Sequence, residues 1–573
     1  MRFIIGIAVF WLSIIGISFF LNRKLKLKEY FALPLTTAVI GIVMFLAGIL
    51  NILKLTSILI ILFSIYSIIT SIIKKEINLD TVKDFFRKPA NIIIIIVFAY
   101  ISIMGATMHV THYDNFSHWG LIIKNMFMNN SLPNFDDLTI MFKGYQPGSA
   151  SYIYYFGLLC GKTEGTMIIG NNYMVFSFVT ILYSVLKNQK KLITQFIPAL
   201  FYVFLMVISN NFNELLVDGL LAVLSLATFI IMYEYRKDLK KAALYSLPLL
   251  VFQYLVKNTG VVLIGFNCLY FVYLILKNKE IKKGLKYIFV IGMTLFMFLS
   301  IWQSHVTYAY GAAALNSKHS LSTENILTQV RDKGWGKILG WTKSYIKHFV
   351  DIKNNQAMTM IIVINVIVIL AIIYEKNKND KKHLIHILLA LDGLYVGYYC
   401  VLGLMYILSM PWGEAVVFAS YERYMSTILI IIVGILIYTL FLKKKTNVVG
   451  VVLLVLLMSV TMVHKSKDLL PLIGKENYEN TFIEKYDKFF PDLLVDGTKM
   501  VYVYAPSSIN DHGFLYHLSI YKLNVPYVKV ITSSEDLGEI DLGTLIILES
   551  DESIKSKVSE LSWTEKKENV FTK

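Results

Sequence analysis

About fourteen apolar runs of roughly 17 to 22 residues recur along the chain, separated mostly by short loops rich in lysine and arginine. As a helix, a run of that length matches the hydrocarbon thickness of a bilayer. The pattern therefore predicts an α-helical polytopic membrane protein. The runs are read at 3–21, 33–51, 55–73, 91–108, 167–186, 193–209, 217–234, 242–257, 259–277, 287–304, 355–374, 384–406, 425–441 and 448–464. Composition agrees: 573 residues, 56% hydrophobic and only 16% charged, leave too little polar surface for a water-soluble fold. The first run, Phe3 to Leu21, has neither a strong basic leader nor a small-residue cleavage site. It reads as a spanning helix and not as a removed signal.

The basic residues fall after alternate runs. Arg23, Lys24, Lys26 and Lys28 follow the first, Lys74, Lys75, Lys83, Arg87 and Lys88 the third, and Lys187, Lys190 and Lys191 the fifth. Arg236, Lys237, Lys240 and Lys241 follow the seventh, Lys277, Lys279, Lys282 and Lys283 the ninth, Lys376 to Lys382 the eleventh, and Lys443 to Lys445 the thirteenth. All then share one side, which the positive-inside rule makes cytoplasmic, and both termini lie extracytoplasmically at a cell membrane. The segment 146–161 is apolar enough to tempt a further crossing, but a crossing there would reverse every later loop. It reads as a helix at the outer interface or entering partway, opened by Pro147-Gly148.

The net charge of +16 belongs to the membrane part and implies no nucleic-acid partner. From Lys465 to Lys573 there are 13 lysines against 18 aspartates and glutamates, a net −5. Three units follow: additional helices over 1–90, a catalytic-type membrane module over 91–464 with outer loops 109–166 and 305–354, and an extracytoplasmic α/β domain over 465–573. In the last, 499–504, 527–531 and 544–549 read as strands and 512–523 as a helix. Cys160, Cys268 and Cys400 lie far apart in apolar segments, form no metal or disulfide pattern, and read as buried thiols.

The outer side holds the residues with chemistry. His112-Tyr113-Asp114-Asn115-Phe116-Ser117-His118-Trp119 is unusually polar and aromatic for a membrane-proximal loop. Asp114 there is either a solvated loop carboxylate or a general base that orients an acceptor hydroxyl. His112 and His118 are polar or substrate-contacting groups; their spacing matches no strong metal motif. Glu214 and Asp218 stand four apart, predicted on one face of a helix start, as caps or as a second acidic wall. Lys257 lies at an outer turn, where it either snorkels or binds a lipid phosphate. Arg423, in Ser420-Tyr-Glu-Arg-Tyr424, pairs with Glu422 or holds a phosphate bidentately. Asp392 sits inside an apolar run, and the 305–354 loop carries His305, Lys318, His319, Glu324, Arg331, Trp335 and Trp341 with no directed chemistry.

In this order the motifs resemble the GT-C superfamily of polyprenyl-phosphate-dependent glycosyltransferases, to which protein O-mannosyltransferases and the lipid A aminoarabinose transferase belong. The resemblance rests on Tyr113-Asp114-Asn115, Tyr145-Gln146-Pro147-Gly148, Glu214 with Asp218, Val256-Lys257-Asn-Thr-Gly260, and Arg423-Tyr424, and covers roughly residues 91–464. It departs in three ways: helices precede the acidic motif's own helix, Asn115 stands where a second acid is usual, and Pro147 is not doubled. What it implies is a glycosyltransferase with Asp114 as the catalytic carboxylate and His112, Asn115, His118, Trp119, Glu214, Asp218 and Tyr424 contacting substrate. Lys257 and Arg423 would neutralise the donor phosphate. The implied partners are a polyprenyl-phosphate-linked sugar, a cell-envelope glycan or glycolipid acceptor and the bilayer, with inversion at the anomeric carbon. No cofactor is implied; a divalent metal is compatible but not required. Two other readings stay open from the residues: a transporter or flippase of lipid-linked saccharides, though no repeat is present, and an envelope polysaccharide polymerase or ligase.

Overall fold

The computed structural model describes all residues except 1, 187–190, 210–211, 317–321, 443–447, 476–480, 491–492, 494 and 541. Lys187, Lys190, Asn210, Lys318, His319 and Lys443 to Lys445 therefore lie outside the described residues. Each apolar run forms a helix. Among the described residues ten helices are long and apolar enough to cross a membrane, or twelve if two bent pairs count as one span each. The count of about fourteen includes two further helices at the centre of the bundle. Asp218–Glu234 is only 17 residues long, and Leu239–Val256 opens on Lys240-Lys241 and carries Gln253.

Burial sorts the helices. The apolar stretch of Tyr421–Phe441 is 94% buried and that of Glu164–Leu186 is 89% buried, whereas that of Ile281–Tyr310 is 17% buried. The first two form the centre; the last turns Phe289, Met293 and Phe296 outward, where lipid tails make exposed apolar side chains costless. With no hydrophobic drive between helices in lipid, close contact falls to small residues. A Cβ on Gly16 would sit 2.5 Å from the Ser64 Cα, so the helices Arg2–Leu25 and Leu53–Ile73 touch backbone to backbone.

The two ends of the bundle differ. At one end Arg23 faces Glu76, Lys28 bonds Glu234, Lys88 bonds Glu29, and Asn278 donates to the Arg236 carbonyl. At the other, Asp114, Asp218, Lys257 and Arg423 converge. The helix Asp218–Glu234 runs between them, so the basic loops and the polar site are separated by the bundle's length.

Of the two readings of 146–161, the structure favours the one in which the helix enters only partway: Gly148–Cys160 is buried inside the bundle against Arg2–Leu25, Ala32–Ile49 and Glu164–Val179, and is not spread on the outer interface. At about 20 Å it is too short to cross. The stretch 305–354 is not a loop. Ile281–Tyr310 extends into it, and Thr323–Val350 is a 28-residue helix kinked at Gly334. Lysines scattered through this helix lower its mean hydropathy, which hid it. Cys160 is buried, but Cys400 is exposed on the outer surface of its helix. Asp392 pairs with Asn365 across two helices at 2.8 Å, away from the site.

The tail is a small α/β unit. Strands β1 (Val501–Tyr504), β2 (Val528–Ile531), β3 (Thr544–Ile547), β4 (Thr564–Lys567) and β5 (Val570–Thr572) form one sheet in the order β2-β1-β3-β5-β4. β1 pairs in parallel with β2 and β3, and β5 closes antiparallel on β3 and β4. The helix His512–Leu523 connects β1 to β2, as a parallel pair requires. This helix docks on the outer loop: Phe116 packs on Phe514 and Tyr521, and the Lys124 ammonium bonds the Tyr521 carbonyl. Lys522 anchors the junction to Glu164 at 3.1 Å and Asp487 at 2.7 Å.

Candidate active site

Asp114 lies in the first turn of a five-residue helix, Tyr113–Ser117. His112 caps it, its Nδ1 accepting the Asp114 N–H at 3.1 Å. A turn so short has no stability of its own; Glu214 supplies it. The buried Glu214 carboxylate accepts from the N–H and hydroxyl of Thr111, the N–H of His112 and the Asn115 amide. The Asn115 Oδ1 in turn accepts the Leu215 N–H at 3.1 Å. Asn115 is thus a clamp between two chain segments, and an acid there would press a second carboxylate on Glu214. Burial pushes the Glu214 carboxyl up to about 7, against the pull of those four donors. Glu214 also precedes its helix, which begins at Asp218. The predicted shared helix face for the two acids is therefore corrected: the turn between them lets Glu214 point at the loop backbone while Asp218 points at the cations.

Four charges form a chain. Arg423 Nη1 is 2.6 Å from Asp114 Oδ2, Arg423 Nε is 3.4 Å from Asp218 Oδ2, and Lys257 Nζ is 3.3 Å from Asp218 Oδ1. Arg423 thus pairs with Asp114 and Asp218, not with Glu422 as one sequence reading had it. Burial alone would raise the Asp114 carboxyl, but the Arg423 guanidinium bonded to it outweighs burial and holds it below the usual range. Burial likewise opposes the Lys257 charge, yet Asp218 holds its ammonium protonated above the ordinary lysine range. His118 is buried, bonded to the Ser117 hydroxyl at 2.7 Å, and ringed by Trp119, Phe142 and Tyr145. Burial pushes its imidazole down to about 3, so it is neutral.

A cavity of about 460 Å³ opens onto this chain. Of the expected residues, Asp114, His118, Lys257, Arg423 and Tyr424 line it. Asp218 stands behind the two cations. Trp119 stacks on Tyr145 with the Lys257 ammonium over its ring at 6.0 Å. His112, Asn115 and Glu214 are supports and not wall. Sequence reasoning left out Tyr113, Phe142, Tyr145, Thr259 and Glu414 from the wall, although Tyr113, Tyr145 and Thr259 stand in the motifs that carried the resemblance. It also left out the opposite wall, which is apolar: Val401, Leu404, Met405 and Leu408 from the helix Lys378–Leu408. That helix's C-terminus is held by Lys333, whose ammonium donates to the carbonyls of Tyr406 (3.0 Å), Ile407 (2.6 Å) and Met410 (2.6 Å). Among the described residues no three His, Cys, Asp or Glu side chains converge as a metal site.

A cavity with cations and a carboxylate at its head and an apolar side wall suits a ligand that is anionic at one end and greasy at the other. No family model matches the chain, and no curated protein matches its sequence. The fold is similar to that of ArnT from Cupriavidus metallidurans bound to undecaprenyl phosphate, at 11% identity and a TM-score of 0.35, covering 84% of this chain and 97% of that one. It is similar also to the apo state of the same protein, at 10% identity and a TM-score of 0.34 over the same shares.

Proposed function

We propose that this chain is a GT-C-type membrane glycosyltransferase that transfers a sugar from a polyprenyl-phosphate donor to a hydroxyl of a cell-envelope acceptor on the extracytoplasmic side. The observation that carries the reading is the join of charge and grease in one cavity: Asp114, Arg423 and Lys257 at its head, Val401 to Leu408 along its side. The side follows from the basic loops at the opposite end of the bundle.

The chemistry follows from the ion chain. In the free enzyme the two cations are neutralised by two aspartates. A donor phosphate entering between Lys257 and Arg423 competes with Asp114 for the guanidinium. Asp114 is then released toward the acceptor, ionised and with an oxygen free to accept a proton. The acceptor oxygen bonds to the anomeric carbon from the face opposite the phosphate, the carbon–oxygen bond to phosphate breaks, and the acceptor proton passes to Asp114. The phosphate leaves with charge that Lys257 and Arg423 stabilise. His118, kept neutral by burial, adds no third positive charge and serves as a polar wall. Inversion at the anomeric carbon is expected.

The test is reconstitution of the purified protein in liposomes with polyprenyl-phosphate sugars and envelope glycan acceptors. Asp114→Asn is expected to abolish transfer with the fold retained. Full transfer by that variant would remove Asp114 from the mechanism; movement of the lipid-linked sugar between leaflets without transfer would favour a flippase.

A further inference from the structure

A second cavity, of about 550 Å³, lies where the outer loop meets the tail domain. Its volume is that of a small-molecule site. One wall comes from the loop (Asn125 to Thr139) and the other from the tail (Gly497, Asn524 and Pro526). The lining is rich in side-chain amides, hydroxyls and carboxylates and contains no lysine or arginine.

The loop wall is internally tied. Asn125 donates to Thr139 at 3.0 Å, and Asp137 accepts from the Asn129 amide at 2.6 Å and the Asn134 N–H at 2.8 Å. Those bonds satisfy Asp137 and fix the loop, so the two aspartates are not a ready cation site. Among the described lining residues Asp136 presents an exposed carboxylate, and the Asn524 Oδ1 is a buried acceptor with no hydrogen-bond partner. Asn524 is held in the left-handed region (φ 55) at the end of the helix His512–Leu523, the same helix that docks on the catalytic loop. Met128, Leu138 and Pro526 add apolar surface between the polar groups.

Hydroxyl donors at the rim and C–H surfaces on the faces are the complement of that lining, and they are what a sugar ring presents. A phosphate or sulfate would meet two aspartates and no cation. We infer that this cleft binds the uncharged or amino-sugar part of the acceptor saccharide, and that the tail domain exists on this chain to complete it. The inference rests on the glycosyltransferase reading. The helix Trp119–Asn129 links the two sites: Trp119 stacks at the catalytic cavity and Asn125 and Asn129 line the cleft. At the helical rise per residue Asn125 lies about 9 Å and Asn129 about 15 Å along the helix from Trp119, a span that an oligosaccharide covers.

The experiment is saturation-transfer NMR on the full-length protein in detergent, with maltotriose, mannotriose, chitotriose and N-acetylchitotriose as probes and inorganic phosphate as competitor. Two variants read out the site. Asn524→Gly combined with Asp136→Ala removes both free polar groups while keeping the backbone conformation at 524. Gly497→Trp fills the cleft from a position where an added Cβ meets only Val525, at an ordinary 3.5 Å. At least one trisaccharide is expected to bind, at least tenfold more weakly to either variant with an unchanged melting midpoint, and without competition from phosphate. Binding of none of the four, binding insensitive to both variants, or displacement by phosphate would overturn the inference. Asp114→Asn separates the two readings: it is expected to keep saccharide binding while losing transfer. If it transferred fully, the catalytic reading would fall and the cleft would be judged by the binding data alone.

Discussion

The ion chain predicts an order of stabilities that differs from the order of activities. Lys257 is 9% exposed and Asp218 is 7% exposed, and Asp218 is the carboxylate paired with that ammonium. Asp218→Asn therefore leaves a buried charge uncompensated, which costs about 3–5 kcal/mol. Asp114→Asn is milder. It removes a 2.6 Å bond to Arg423, but Asp218 still lies 3.4 Å from the same guanidinium, so the loss is that of one charged hydrogen bond, about 1.5–3 kcal/mol. Lys257→Met added to Asp218→Asn removes the stranded ammonium, so the double variant is expected to be more stable than Asp218→Asn alone, a coupling of at least about 1 kcal/mol. The assay is reversible denaturation in mixed detergent micelles beside sugar transfer in liposomes. Asp114→Asn should show the larger loss of transfer and the smaller loss of stability. An Asp114→Asn variant as destabilised as Asp218→Asn, or strict additivity of Lys257→Met and Asp218→Asn, would refute the chain as described.

Other consequences follow from the same geometry. Asn115→Asp sets two buried carboxylates in contact, so the pair must keep a proton; its destabilisation relative to wild type should grow as pH rises from 5 to 8, and more steeply than that of Asn115→Ala, which only removes one donor to Glu214. Burial holds the Glu214 carboxyl up at about 7; its folded state thus binds a proton that the unfolded chain releases near pH 4.5. Stability should therefore fall as pH rises between about 4.5 and 7, a slope that denaturation of Glu214→Gln should lack. Lys333→Met removes the donor to three carbonyls above the cavity, and should lower the unfolding free energy by about 1.5–3 kcal/mol and raise the KM for the lipid donor more than it lowers kcat.

Much of this architecture is written in local patterns. Spacing of apolar runs and the side taken by each basic loop place Asp114, Lys257 and Arg423 at one end of the bundle before any contact is known. β-Branched and aromatic enrichment marks β1, β2 and β3. Pairings are another matter: Asp114 and Arg423 are 309 residues apart, and sharing a side does not say that they touch. The edge strand β4 and its neighbour β5 were missed; β4 is fully exposed and carries Glu565, Lys566 and Lys567, which no burial pattern betrays. Thr323–Val350 was missed for a related reason. Lysines dilute its hydropathy, and the one that matters, Lys333, is a helix cap whose role exists only once the end of Lys378–Leu408 is folded beside it.

Asn115 shows why a departure from a motif can be a requirement of the fold. Read alone, it is an acid lost from a catalytic pair. In the structure its amide must do two opposite things: donate to Glu214 and accept from the Leu215 N–H. A carboxylate can only accept. With Glu214 already receiving the donors of Thr111 and His112, an acid at 115 would force a proton into a fully buried pair and loosen the turn that aims Asp114. The chain therefore keeps Asp114 in the cavity and spends Glu214 on the backbone that carries it. The carboxylate nearest the chemistry is consequently Asp114 alone, and its orientation depends on a residue outside the cavity wall. Loss of transfer in Asn115 variants should accordingly track loss of the Thr111–Asn115 geometry and not any change in the protonation of Asp114: the pH profile of the residual activity should keep the wild-type acid limb, and a shifted limb would mean that Asn115 acts on the carboxylate directly.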